Sequence, residues 1–181
     1  MLIAKELRNK NIAEYVLYMW QVEDIIRAYR CDLTAIRRDY ISRFQLTDEQ
    51  REDMIDWYGN LIRMLREEGV TESGHIQIIK IVIQQMTELH QQLMQSPKFP
   101  FYNSAYYRVL PFIVELRSRG ADKQEGEVET CLNLLYGVMM LRLQKKEVTP
   151  NTLHAVKEVS TLIGMLSDYY KQDKEEGLKF D

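Results

Sequence analysis

Helix breakers are rare in this chain, and they sit where helices would have to stop. Its 181 residues include only four prolines and eight glycines, and these fall mostly between stretches whose apolar residues recur every three or four positions. Runs of strict apolar–polar alternation bounded by turn residues, the mark of half-buried strands, are hard to find. The pattern predicts an all-α fold. We expect a single-domain antiparallel bundle of about six or seven helices over residues 1–172, followed by a charged, frayed tail at 173–181. A chain of this length with 45% hydrophobic residues can bury one sizeable core and is marginal for two.

Local signals place the elements. The first helix is expected from about Ala4 to Tyr29 and the second from Leu33 to Phe44. "TDEQ" at Thr47–Gln50 is a capping box, opening a helix that turns Met54, Trp57, Tyr58, Leu61 and Leu65 inward and stops near Gly69. A fourth helix is expected from Glu72 to just before Pro97. "SPKFPFYNSAYY" reads as the longest irregular stretch, with a fifth helix from about Ser104 to Ser118, kinked at Pro111 because proline has no N–H for the Tyr107 carbonyl. After a polar connection, "RGADKQEGEVE", the sixth helix is apolar nearly all round and should be central. Thr149 caps the last helix and Pro150 takes its first position.

Charge and motifs narrow the function classes. A net charge of -3 gives no general attraction to nucleic acid or anionic membrane, and no run of ~18 apolar residues is present to span a bilayer. The opening residues lack the pattern of a secretory signal. Two isolated cysteines, Cys31 and Cys131, fit free buried thiols in a reducing cytoplasm, with a single disulfide left open. Glycine-rich phosphate loops and nucleophile motifs are absent, so no catalytic residue and no cofactor is assigned. Glu72 and His75 have the Glu-x-x-His spacing of di-metal bundles, but the second such motif is missing. His75 and His90 would lie ~22 Å apart on one helix, too far to share an ion. No metal site is expected, and His90 reads as a core histidine with one hydrogen-bond partner.

Two residues break the pattern of the first helix. Glu23 projects into the apolar stripe, between Ile12 and Val16. It either sits at the rim paired with Arg27, or is buried against an arginine from another helix, with Arg142 the first candidate and Arg108 the second. Trp20 and Leu17 project to the opposite side, so that helix is either packed on two sides or part of a subunit interface.

The aromatic segment Phe99–Phe112 is the best pocket candidate, with Tyr102 and Tyr106 supplying hydroxyls beside Glu23, Arg108 and Arg142. The alternative for that segment is a connection folded down to close the core. The basic run Arg27, Arg30, Arg37, Arg38 and Arg43 could hold nucleic acid, but Asp24, Asp32 and Asp39 weaken its field.

"IAKELRNKNIAEYVLYMWQVEDIIRAY" and "PFIVELRSR" resemble a bacterial family of uncharacterised proteins catalogued as a domain of unknown function, over the whole chain. The resemblance implies one cytoplasmic helical domain with no established activity, and it carries no catalytic residues over. The leading expectation is a non-enzymatic helical interaction or structural module that forms a homo-oligomer or meets a protein partner, with Leu17 and Trp20 at the interface. A small-molecule binder or enzyme using the aromatic segment is the alternative, and nucleic-acid binding through the second helix is the third reading.

Overall fold

A computed structural model describes residues 2–119 and 125–181. Residues 120–124 of the expected polar connection lie outside the described residues. The described chain is a helical bundle with no strand. Its contacts divide it into two compact units, one of Met1–Arg8 with Glu14–Ile81, the other of Asn9–Ala13 with Val82–Asp181.

The expected first helix is two. α1 spans Leu2–Lys10 and α2 spans Ile12–Ala28, separated at Asn11. The break falls in the polar run Arg8–Asn11, where two asparagines compete with the helix for backbone hydrogen bonds. α2 is buried on more than one side: Val16, Met19, Val22 and Ile26 are covered, and so are Trp20 and Glu23. It ends in a Schellman turn, with Cys31 N–H donating to the Ile26 carbonyl at 2.9 Å and Arg30 N–H to Arg27 at 2.8 Å. That turn puts Arg30 at φ 53° and Cys31 at φ 58°, the left-handed region that glycine enters most cheaply.

Asp32 caps the next segment by accepting from Thr34 N–H and Ala35 N–H at 2.9 and 3.2 Å. α3 (Leu33–Ala35) widens into a π-helical turn over Ile36–Tyr40 and then tightens to a 3-10 turn over Ile41–Arg43, with Ile36 and Ile41 wholly buried. α4 (Asp48–Glu67) opens with the expected capping box, Thr47 and Gln50 exchanging both bonds. It buries Met54, Tyr58, Leu61 and Leu65 and ends in a second Schellman turn on Gly69, at φ 68°. Fully burying a side chain of this size is worth about 1.5–3 kcal/mol, so this one face outweighs any cap.

α5 (Gln77–Gln95) starts later than the sequence suggests, because residues 70–76 form a turn held by long-range bonds described below. α6 (Pro100–Ser118) starts earlier. The stretch read as irregular is helical from Pro100, which occupies the first turn where its missing N–H costs nothing. Asn103 adds bonds to the carbonyls of Leu93 and Phe99 at 3.2 and 3.0 Å. α6 remains one helix through Pro111, and both Pro111 and Tyr107 lie on its exposed side, where water can serve the Tyr107 carbonyl.

α7 (Glu127–Leu143) buries Val128, Cys131, Leu132 and Val138 but leaves Leu143 exposed, so it is covered mainly along its first turns. α8 (Pro150–Glu176) is capped by Thr149, with Pro150 first, and packs against both α6 and α7 through Ala155, Val159, Leu162, Ile163 and Leu166. Beyond it, the Phe180 carbonyl accepts from the Ser96 hydroxyl at 2.7 Å, and the Phe180 ring lies 5.8 Å from that of Phe99.

Candidate functional site

The periodicity of α5 aligns Thr87, His90, Gln91, Met94 and Gln95 on one strip of helix. In the second unit this strip forms one wall of a cleft of about 420 Å³. Tyr106 and Arg117 of α6 and Gly126 and Glu127 at the start of α7 complete the lining.

His90 is the hinge of the cleft's chemistry. It is buried, and its Nδ1 lies 2.7 Å from the hydroxyl of Tyr102, itself fully enclosed. With Tyr102 donating to Nδ1, the imidazole proton sits on Nε2, which faces Glu127 Oε2 at 3.5 Å. The Tyr106 hydroxyl donates to the other carboxylate oxygen, Oε1, at 3.1 Å. One carboxylate therefore faces an imidazole and a phenol at the same time.

Burial sets the protonation states. It lowers the His90 pKa from its ordinary value, against an opposing pull from Glu127, so the imidazole is neutral near pH 7. Burial, then the Glu127 charge, pushes Tyr106 up to about 12, and burial also raises Tyr102. The Cys131 thiol, behind the cleft, is pushed up to about 12 by burial first and Glu127 second, which makes it a poor nucleophile.

The opposite wall is fixed through Glu125 and Gly126. Arg117 Nη2 donates to the Glu125 carbonyl at 2.6 Å, the Thr130 hydroxyl reaches Glu125 Oε2 at 3.0 Å, and Asn133 bonds Oε1. Arg117 Nε is buried with no hydrogen-bond partner among the described residues. A cleft with a guanidinium, a carboxylate, two primary amides and a neutral imidazole can bind and orient a small polar molecule and can pass a proton between neighbours.

The sequence-derived pocket residues do not form one group. Tyr106 lines this cleft and Tyr102 stands behind it. Arg108 is turned elsewhere, with Nε 3.0 Å from Glu158 and Nη1 on the Ser104 hydroxyl. Arg142 is exposed near the end of α7. Glu23 belongs to the first unit and pairs with none of the three arginines considered for it.

Glu23 is 1% exposed, so it is not at the rim. Its Oε1 accepts from the Ile76 N–H at 2.9 Å, and Oε2 lies 2.6 Å from His75 Nδ1. Arg27 bonds instead to Asp24 and to the carbonyls of Val70 and Gly74, in the same turn. Trp20 is also 1% exposed, its indole stacked on the His75 ring at 4.6 Å and 16°. The indole is thus covered by its own chain and offers no face to an outside partner, while Leu17 is half-buried. The physical reason for both corrections is the turn 70–76, which folds His75 over α2.

In the basic run, Arg38 is held by Asp39 at 2.6 Å and Arg37 approaches Glu52 at 4.0 Å. Among the described residues, no three histidine, cysteine or acidic side chains come together as they would around a metal ion, and no helix is long and apolar enough to cross a membrane. Sequence reasoning missed Arg117, Glu127 and the amides of α5. Tyr102 and Tyr106, four apart on a helix, were the available signal that one face of α6 gathers hydroxyls.

No curated protein and no solved structure matches this chain. The family described as Domain of unknown function (DUF4924) matches residues 1–177, nearly its whole length, and the chain belongs to that family.

Proposed function

We propose that this protein binds a small polar molecule in the cleft of the second unit. The supporting observation is the convergence of His90, Tyr106, Arg117 and Glu127 on one concavity of about 420 Å³, a size within the range of roughly 300–1,000 Å³ for small-molecule sites. The chemistry favours a ligand that carries a carboxylate beside hydroxyl or amine groups. Arg117 Nε is a buried donor in want of an acceptor, and Glu127, Gln91 and Gln95 can receive O–H or N–H groups.

The test is ligand-observed NMR with a panel of amino acids and hydroxy acids. Saturation transfer to a panel member, lost in both Arg117→Gln and Tyr106→Phe, supports the reading. Equal transfer in wild type and both variants, or none to any member, removes it.

Self-association is the second reading, and a different feature favours it. Phe101, Tyr107 and Val114 on α6 are 80%, 64% and 59% exposed, and Tyr107 and Val114, seven positions apart, share one helix face. The occupant would be a second copy of the chain. Light scattering at increasing concentration decides: a dimer that Tyr107→Glu dissociates supports it, and a monomer throughout contradicts it.

A further inference from the structure

The first unit carries a second concavity, of about 520 Å³, that none of the readings above uses. One wall is the turn after α2, Arg30 to Leu33; the other is the strip Gly59, Ile62, Arg63, Arg66 and Glu67 of α4. The walls touch at the floor, where a Cβ on Gly59 would come within 3.3 Å of a Leu33 methyl. Leu33 and Ile62 make that floor apolar.

Three arginines surround it, and none of them forms an ion pair among the described residues. Arg27, Arg37, Arg38, Arg108 and Arg119, by contrast, each meet a carboxylate. Arg66 uses one N–H on the Cys31 carbonyl at 3.1 Å, tying the walls together, and Arg63 uses one on Asn60 at 3.1 Å. Two carboxylates also line the groove. Asp32 is committed on Oδ1 to the cap of α3, which leaves Glu67 as an acceptor for a neutral hydroxyl.

The backbone adds an independent observation. Arg30 stands at φ 53°, where the turn alone would be better served by glycine. A strained arginine whose side chain lines a groove with two other unpaired guanidinium groups is held there against local preference. We propose that this groove binds a phosphate ester with a compact apolar body, the phosphate gripped by Arg30, Arg63 and Arg66 and the body laid on Leu33 and Ile62. Guanidinium forks match phosphate oxygens in geometry as well as charge.

Phenyl phosphate and inorganic phosphate are the probes, followed by calorimetry on the full chain. Arg30→Gly is an informative variant, since it removes one guanidinium while relieving the backbone. It should raise the thermal midpoint by about 2–4 °C and yet weaken phenyl phosphate at least fivefold. Arg63→Ala should weaken it similarly, and Arg43→Ala, outside the groove, should leave it unchanged. Phenyl phosphate should bind more tightly than inorganic phosphate. The proposal is overturned if phenyl phosphate does not bind, if Arg30→Gly and Arg63→Ala bind it like wild type, if Arg43→Ala loses as much, or if the two probes bind equally.

Discussion

Glu23 Oε2 and His75 Nδ1 meet at 2.6 Å across 52 residues of sequence, and the same carboxylate holds the Ile76 N–H. A buried carboxyl group that would be costly alone becomes the clamp of the turn leading into α5. Glu23→Ala strands two donors and should cost about 2–4 kcal/mol. Glu23→Gln keeps one acceptor and should cost about 1–2 kcal/mol. Urea unfolding followed by far-UV circular dichroism measures both, and equal small losses would show that the clamp contributes little.

Left-handed residues offer stabilising substitutions. Lys145 ends α7 at φ 56°, in a Schellman turn whose Lys146 N–H donates to the Leu141 carbonyl at 2.9 Å. Lys145→Gly should stabilise by about 1 kcal/mol by removing the Cβ clash. Gly69→Ala, which adds that clash to α4, should destabilise by a similar amount, about 1 kcal/mol. Thermal melts of the two variants should move in opposite directions.

Acid should loosen the second unit through His90. Burial lowers the His90 pKa below its ordinary value of 6.5, so the unfolded chain takes up the proton first as pH falls. The contribution of neutral His90 is complete above 6.5 and is lost as pH drops from there through the folded-state value. Urea midpoints measured from pH 7.5 downward should decline in that window, and His90→Gln should flatten the decline. An identical slope in both proteins would contradict the assignment.

The two thiols should be silent in the native state. Cys31 and Cys131 are buried, and burial pushes Cys131 up to about 12. At pH 8 the aromatic disulfide reagent used for thiol counting should react only slowly, and then with two groups at once in denaturant. Rapid native labelling of Cys131 would show that the α7 core opens readily.

The parts of this fold legible in the sequence are those written within one turn of helix. The capping box of Thr47 and Gln50, the Gly69 stop and the Thr149–Pro150 start all appear as local spacing and are found as such. The break at Asn11 was hidden because apolar periodicity continues across it, and the late start of α5 because the polar run Glu72–His75 reads as the first turn of a helix. The second depends on Glu23 reaching Ile76 and His75, a relation between distant residues that no local pattern encodes. The cleft was half legible. Tyr102 and Tyr106 marked one face of α6, but their partners His90 and Glu127 come from α5 and α7, and only folding pairs them.

Amide mapping of the second unit tests the central claim most directly. A ¹H–¹⁵N correlation spectrum is recorded as the amino-acid and hydroxy-acid panel is added. Binding in the cleft should move the amides of Gln91, Met94, Gly126 and Glu127 with saturation, and leave those of the first unit in place. A spectrum in which none of these four amides moves with any panel member, or in which shifts scatter over both units, would contradict it.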